Sequence, residues 1–333
     1  MPNSLRAWLQ LFRVPNLLTV PGDPLAGFLI ATGGRLDARV GPVIVCSLCL
    51  YAAGLAMNDL ADLDEDRRER PKRPLASGAI SKNTAIYATV ILTVLGLGIL
   101  RLEPGQAAIM VGTLLLGAVA FYNFLTKRIP FLGAINMGLC RTLSIALGAA
   151  AALGPDIPML NAAGIIGTLH PLLTAPMILF ASERAQMLFT FAAVGGGLVG
   201  LYIAAVTNLA RHETRREYPK IARVLPLGTL LISYVILKQA TGPLLRDQSP
   251  TLWLVALILC AMNTSELMRT PPPPLPPRIG GFIRILPILQ ASLCLVPSVL
   301  GPLGKSLDSF LCALLLLACV PFHAWLGRKF YAS

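Results

Sequence analysis

The chain has 333 residues, of which 55% are apolar and only 13% charged, and its mean hydropathy is +0.69. Soluble domains run nearer about 25% charged, so the composition excludes a water-soluble globular enzyme and describes a polytopic membrane protein. The net charge of +12 would suggest nucleic acid in a soluble chain, but in a membrane protein it is first a topology signal.

Apolar runs long enough to cross a bilayer fall at about 11–32, 40–60, 83–101, 106–126, 131–153, 186–210, 221–240, 250–269, 280–300 and 306–327. The expected fold is an all-α polytopic membrane protein, a bundle of about nine to ten transmembrane helices around a central cavity open to the cytoplasmic side. It forms a single domain over 1–333. The stretch 154–185 is also apolar but is broken by Pro155, Pro158, Pro171 and Pro176; it is either a further span or a long external segment. The seven cysteines all lie within apolar runs. Cys46 and Cys49 have C-x-x-C spacing without a second pair, and read as small buried hydrophobes rather than a redox or zinc site. The three histidines are scattered and make no metal triad.

The first run opens on Arg13-Val14-Pro15-Asn16. It lacks a small-residue cleavage site at the right distance, so no cleavable signal is expected. Asp23 lies seven residues after Asn16, on the same helix face. An Asp within an apolar run is a functional candidate by default; the alternative is that Pro21-Gly22-Asp23-Pro24 only kinks the helix. The second run leads straight into NDLADLDEDRRERPKRPLASGAIS at 58–81, with six acidic residues among eleven positions. Asn58, Asp62 and Asp66 are spaced i, i+4, i+8 and line one helix face, with Asp59 beside Asp62. Carboxylates striped along a helix end at a membrane surface call for a cation. Oxygen-only ligands at this spacing suit Mg²⁺, which binds through one or two carboxylates plus substrate phosphates. The competing reading is a solvated juxtamembrane loop, which gives no reason for Asp at helical spacing closed by Arg70-Pro71-Lys72-Arg73-Pro74.

This segment, Asn58-Asp59-x-x-Asp62-x-x-x-Asp66 followed by Arg70-Pro71-x-Arg73-Pro74-Leu75-x-Ser77-Gly78-x-Ile80-Ser81, resembles the first motif of the UbiA-type intramembrane prenyltransferases. The resemblance extends more weakly over most of the chain. It implies an Mg²⁺-dependent enzyme that moves an isoprenyl group from a polyprenyl diphosphate to a hydrophobic acceptor, usually an aromatic ring carbon, within the bilayer. Asp59, Asp62 and Asp66 would then hold the metal. Arg70, Arg73 and Lys127 would clamp the diphosphate, with Asn58, Asn16 and Asp23 as further pocket residues.

Tyr122-Asn123-Phe124-Leu125-Thr126-Lys127-Arg128 closes the fourth run and resembles the family's Tyr/Asn…Lys-Arg element. Lys127 stands one residue further from Tyr122 than in the common Y-x-x-x-K form. Lys127 and Arg128 either hold a diphosphate by charge-assisted hydrogen bonds or serve as a positive-inside anchor. Arg141 lies about ten residues into the fifth run, with Asn136 five residues earlier. A charge at that depth costs roughly 2.5–3.5 kcal/mol on insertion scales, so Arg141 is a candidate to face the acceptor or the diphosphate.

A second polar cluster follows at Thr207-Asn208-Leu209-Ala210-Arg211-His212-Glu213-Thr214-Arg215-Arg216-Glu217. Glu213 and Glu217 share a helix face. Family members usually carry aspartates here, so a second metal site rests on glutamates, with Asn208 as a neutral oxygen ligand. Alternatively, both glutamates pair with Arg211, Arg216 or Lys220 as an ordinary helix end. This departure resembles an EboC-like bacterial branch more than the quinone-synthesising ones. Pro271–Pro277 reads as a rigid polyproline II linker.

With the N-terminus cytoplasmic and 154–185 outside, twenty Lys and Arg fall on the cytoplasmic side and seven on the other, Arg141 lying within a span. This positive-inside bias places 58–66 and 207–220 on the same, cytoplasmic face of a bacterial-type inner membrane. The expected partners are an isoprenyl diphosphate, a hydrophobic acceptor and the bilayer, with no nucleic acid. Two rivals differ in class. CDP-alcohol phosphotransferases also use Asp-rich helix ends but need D-G-x-x-A-R, whereas Asp66 is followed here by Arg67-Arg68. A non-catalytic prenyl-lipid-binding or transport-associated protein could retain the first motif alone.

Overall fold

The computed structural model describes residues 3–103, 105–152, 183–213, 218–241, 249–296 and 306–330. Among these, every regular element is helical. A short helix, α1 (Asn3–Leu11), precedes the first span expected from hydropathy, and two short helices, α2 (Val14–Leu17) and α3 (Gly22–Thr32), replace that span. The breaks have local causes. Arg13 takes a left-handed φ of 43° ahead of α2, and Pro15, Pro21 and Pro24 each remove a backbone donor.

The remaining helices are α4 (Val40–Ala61), α5 (Leu63–Glu69), α6 (Lys82–Ile99), α7 (Gln106–Phe121), α8 (Leu132–Ala152), α9 (Glu183–Ala210) and α10 (Lys220–Thr241). They are followed by α11 (Ser249–Leu267), α12 (Leu275–Ile283), α13 (Leu286–Leu295) and α14 (Leu307–Phe330). Among the described residues, eight helical stretches are long and apolar enough to cross a membrane, and Thr251–Leu267 is a shorter apolar one. The protein is an integral, multi-pass helical bundle. α6 shows why: Tyr87, Ile91 and Val94 on its outer face are 68%, 63% and 66% exposed, an arrangement that is stable only where lipid replaces water.

The expected polyproline linker is shorter than the sequence suggested. Pro274 is extended (φ −53°, ψ 132°), but Leu275-Pro276-Pro277 opens α12. Proline is tolerated in the first turn, where the backbone N–H has no helical acceptor to lose. The stretch 154–185 lies outside the described residues apart from the start of α9.

Small residues let the central helices approach closely. A Cβ on Gly27 of α3 would sit 1.9 Å from the Ile145 carbonyl oxygen, and one on Gly148 of α8 would sit 1.8 Å from that of Pro24. α8 and α9 meet in the same way, with Gly138 against Gly200 and Thr142 donating to the Gly196 carbonyl at 3.0 Å. Rising numbers on α8 meet falling numbers on α9, so the two are antiparallel, and the chain leaves α8 and enters α9 at the same end of the bundle. The opposite ends, with Lys127 before α8 and Arg211 after α9, therefore lie together.

Candidate active site

A cavity of about 490 Å³ opens among α2, α4, α7, α8, α9 and α12, within the range of small-molecule sites. Its deeper walls include Val20, Leu50, Leu115, Val119, Ile203 and Leu286. Its rim is charged.

The acidic motif builds that rim. α4 ends at Ala61, and Asp62 turns out of helical geometry at φ −99° and ψ 5°. The i→i+4 ladder continues through the bend: Asp62 N–H donates to the Asn58 carbonyl at 3.0 Å and Asp66 N–H to that of Asp62 at 2.8 Å. Asn58, Asp62 and Glu65 line the cavity. Asp59 and Asp66 lie behind its wall, 4% and 2% exposed. Each of the three aspartates meets a basic partner. Lys127 Nζ is 2.5 Å from Asp62 Oδ1. Arg73 Nη1 is 2.7 Å from Asp66 Oδ2 and 3.7 Å from Asp59 Oδ1, Arg70 Nη1 is 3.7 Å from Asp66 Oδ1, and Arg13 Nη2 is 3.6 Å from Asp59 Oδ1. Arg13, Arg70, Arg73 and Lys127 all reach the cavity wall.

Lys127 owes its position to a departure from α-helical winding. α7 passes into a π turn over Tyr122–Thr126, in which Lys127 N–H donates to the Tyr122 carbonyl at 3.0 Å. In a regular helix a residue five places on is turned about 140° away. The π turn absorbs the extra residue that separates this segment from Y-x-x-x-K, and both Tyr122 and Lys127 line the cavity. Two asparagines pin the turn. Asn123 Nδ2 donates to the carbonyls of Gly54 (3.2 Å) and Val119 (3.0 Å), while Asn136 Nδ2 donates to Thr126 Oγ1 and the Ala118 carbonyl, both at 3.1 Å.

Further inside, Arg141 and Asp23 form an ion pair at 2.8 Å with side chains 10% and 0% exposed. Arg141 also donates to Thr19 Oγ1 (3.0 Å) and to the Thr19 carbonyl (3.2 Å), and its guanidinium lies 5.3 Å from the Tyr51 ring centre. Gln290 Nε2 donates to Asp23 Oδ1 at 2.6 Å and to the Thr19 carbonyl at 2.7 Å. Asn16 lines the cavity too, with Oδ1 buried and unbonded. Sequence reasoning missed Gln290, Tyr51 and the Ser47–Ser144 hydroxyl pair, whose oxygens are 2.8 Å apart. A glutamine inside an apolar run was the available signal for the first; the serines and Tyr51 carry none.

The second cluster only partly reaches the site. Thr207, Arg211 and the exposed Glu213 line the cavity. Asn208 is half-buried and does not line it; its carbonyl faces His212 Nδ1 at 3.2 Å. Glu217 lies outside the described residues. Arg211 reaches across to the carbonyls of Ile129 (2.7 Å) and Arg128 (3.3 Å), tying α9 to the loop after Lys127.

The donor set fits a hard divalent cation. Asn58, Asp62 and Glu65, all with oxygen-bearing side chains, line the cavity, and Asp59 Oδ1 is buried without a hydrogen bond. Among the described residues no three His, Cys, Asp or Glu side chains converge as a closed metal cage. Mg²⁺ needs none, since it retains waters and takes substrate phosphate oxygens.

A membrane-embedded helical bundle with a carboxylate- and cation-rimmed, apolar-walled cavity is thus the class of protein defined by fold and site. The UbiA prenyltransferase family model matches residues 24–270, and the chain belongs to that family. The chain is 31% identical over 148 residues to the digeranylgeranylglyceryl phosphate synthase of Sulfolobus acidocaldarius, covering 44% of this chain and 52% of that protein. It is 28% identical over 204 residues to the synthase of the same name from Natronomonas pharaonis, covering 60% and 73%. It spans about half the length of several of the curated relatives it matches. Its fold is similar to that of a UbiA homologue from Aeropyrum pernix (TM-score 0.63, 16% identity, 83% of this chain and 96% of that one). A UbiA homologue from Archaeoglobus fulgidus bound to GPP and Mg²⁺ also matches (TM-score 0.57, 14% identity, 86% and 98%).

Proposed function

We propose that this protein transfers an isoprenyl group from a polyprenyl diphosphate to a hydrophobic acceptor within the membrane, with Mg²⁺ as cofactor and the charged rim facing the cytoplasm. One observation carries the reading: carboxylates and basic side chains are interleaved at the mouth of a cavity whose inner walls are mostly apolar, with the Arg141–Asp23 pair set among them. A polyprenyl diphosphate has the matching shape, a polyanionic head on an apolar tail. Asp62 and Asn58, with Glu65 beside them, would hold the metal from the cavity wall, and Asp66 and Asp59 would support it from one layer behind; Glu213, which also lines the cavity, and Glu217 would serve as the second-cluster ligands. Bound Mg²⁺ supplies charge neutralisation to the departing diphosphate. Arg70, Arg73 and Lys127 hold the same oxygens by charge-assisted hydrogen bonds as the C1–O bond breaks and its electron pair leaves with the diphosphate. The acceptor's nucleophilic atom bonds to C1, and its proton is taken up by the released diphosphate. The apolar walls exclude water that would otherwise capture the allylic cation.

The acceptor is the finer question. The family resemblance points to an aromatic ring. The names of the curated relatives point to a prenylated glyceryl phosphate. The second receives support from the rim: Arg128 and Arg211 line the cavity and form no ion pair with a carboxylate among the described residues, leaving positive charge for a second phosphate.

Incubating the purified chain in lipid nanodiscs with geranylgeranyl diphosphate, Mg²⁺ and each acceptor class tests both points. Diphosphate release that needs metal and is lost in Asp62→Ala supports the enzyme, and the product's mass identifies the acceptor. Saturable diphosphate binding with no release under any acceptor would replace it with a prenyl-lipid-binding protein.

A further inference from the structure

We propose that Lys127 is a built-in counter-ion that occupies the metal position at Asp62 until a diphosphate arrives, so that divalent metal and diphosphate enter the site together. The proposal rests on the reading of this cavity as a metal–diphosphate site. Asp62 is the one aspartate of the motif on the cavity wall. Its Oδ1 is already engaged by an ammonium at 2.5 Å, with the two side chains 11% and 19% exposed. A metal ion approaching Asp62 alone meets a like charge, and displacing Lys127 would separate that ammonium, at a partly desolvated rim, from the carboxylate it pairs with.

A metal ion carried by a diphosphate removes both obstacles. The phosphate oxygens give Lys127 a new charge-assisted partner, and Asp62 passes from the ammonium to the metal. The side chain suits the exchange, since lysine is a point charge on a flexible stem, whereas arginine's rigid fork holds a carboxylate in one geometry. The neighbours divide accordingly. Arg73 bridges the buried Asp66 and Asp59 and keeps them in place. Lys127 sits at the end of a π turn anchored by Asn123 and Asn136, so only its side chain has to move.

Linkage makes the consequence symmetric: each ligand raises affinity for the other by the same factor. The test is Mn²⁺ binding, read by electron paramagnetic resonance on the full chain in nanodiscs, with and without an unreactive prenyl thiolodiphosphate. Wild type should bind metal at least tenfold more tightly with the analogue present. Lys127→Met and Lys127→Gln should each bind metal alone at least tenfold more tightly than wild type, with the coupling reduced. Lys127→Arg should keep weak binding of metal alone. Less than threefold coupling in the wild type overturns the exchange whether or not any variant folds. So do folded Met and Gln variants that bind metal no better than wild type. No metal uptake by the wild type even with the analogue sinks the site reading itself, and the exchange with it.

Discussion

Arg141 and Asp23 form a charged pair buried within the helix bundle, with side chains 10% and 0% exposed. Neither oxygen of Asp23 faces water; one meets the Arg141 guanidinium and the other the Gln290 amide. Removing one member of such a pair leaves a buried charge uncompensated, at about 3–5 kcal/mol. Arg141→Met and Asp23→Leu should therefore each lower the thermal midpoint of the purified protein strongly, and the double variant should recover much of the loss. Gln290→Leu should cost less, about 1–3 kcal/mol, because it leaves acceptors short of one donor. Additive losses in the double variant would show that the two side chains do not act as a unit. Arg141 and Asp23 were legible from sequence because charge in an apolar run is conspicuous. Their mutual pairing was not, since they lie more than a hundred residues apart.

At the scale of the element, the π turn converts an apparent defect of the motif into a matching register. Deleting the exposed Leu125 should let α7 end as a regular helix of the Y-x-x-x-K type, with Lys127 still facing Asp62. Inserting an alanine after Phe124 should rotate Lys127 away. The deletion is expected to retain helicity by circular dichroism and most prenyl transfer. The insertion should cut turnover by about a hundredfold, the scale of loss that small misplacements of a positioning group produce. Equal damage from both would mean that the turn has a role besides register. No sequence rule pointed to the π turn, because the choice between α and π winding is made by partners on other helices, Gly54 of α4 and Asn136 of α8. The acidic stripe was partly legible in the same sense. Its helical spacing survives the bend at Asp62, but only Asp62 turns to the cavity while Asp59 and Asp66 meet arginines.

Across the whole molecule, the antiparallel packing of α8 on α9 brings the acidic motif and the second cluster to one end of the bundle. A reporter fused after Pro74 or Lys220 should score cytoplasmic and one within 160–175 external, following the charge split. A cytoplasmic signal at 165 would require α8 and α9 to be rethreaded through the membrane. The sequence by itself determined the helical membrane class, because bilayer-length apolar runs admit few other solutions. It also determined the family and the chemistry of the first motif, because side-chain spacing along one helix is a local property. Only the tertiary structure decided which carboxylate faces the cavity, which cation holds it and how Gln290 joins Arg141. Those are contacts between distant segments, set by glycine-lined helix crossings, and a linear pattern carries no record of them.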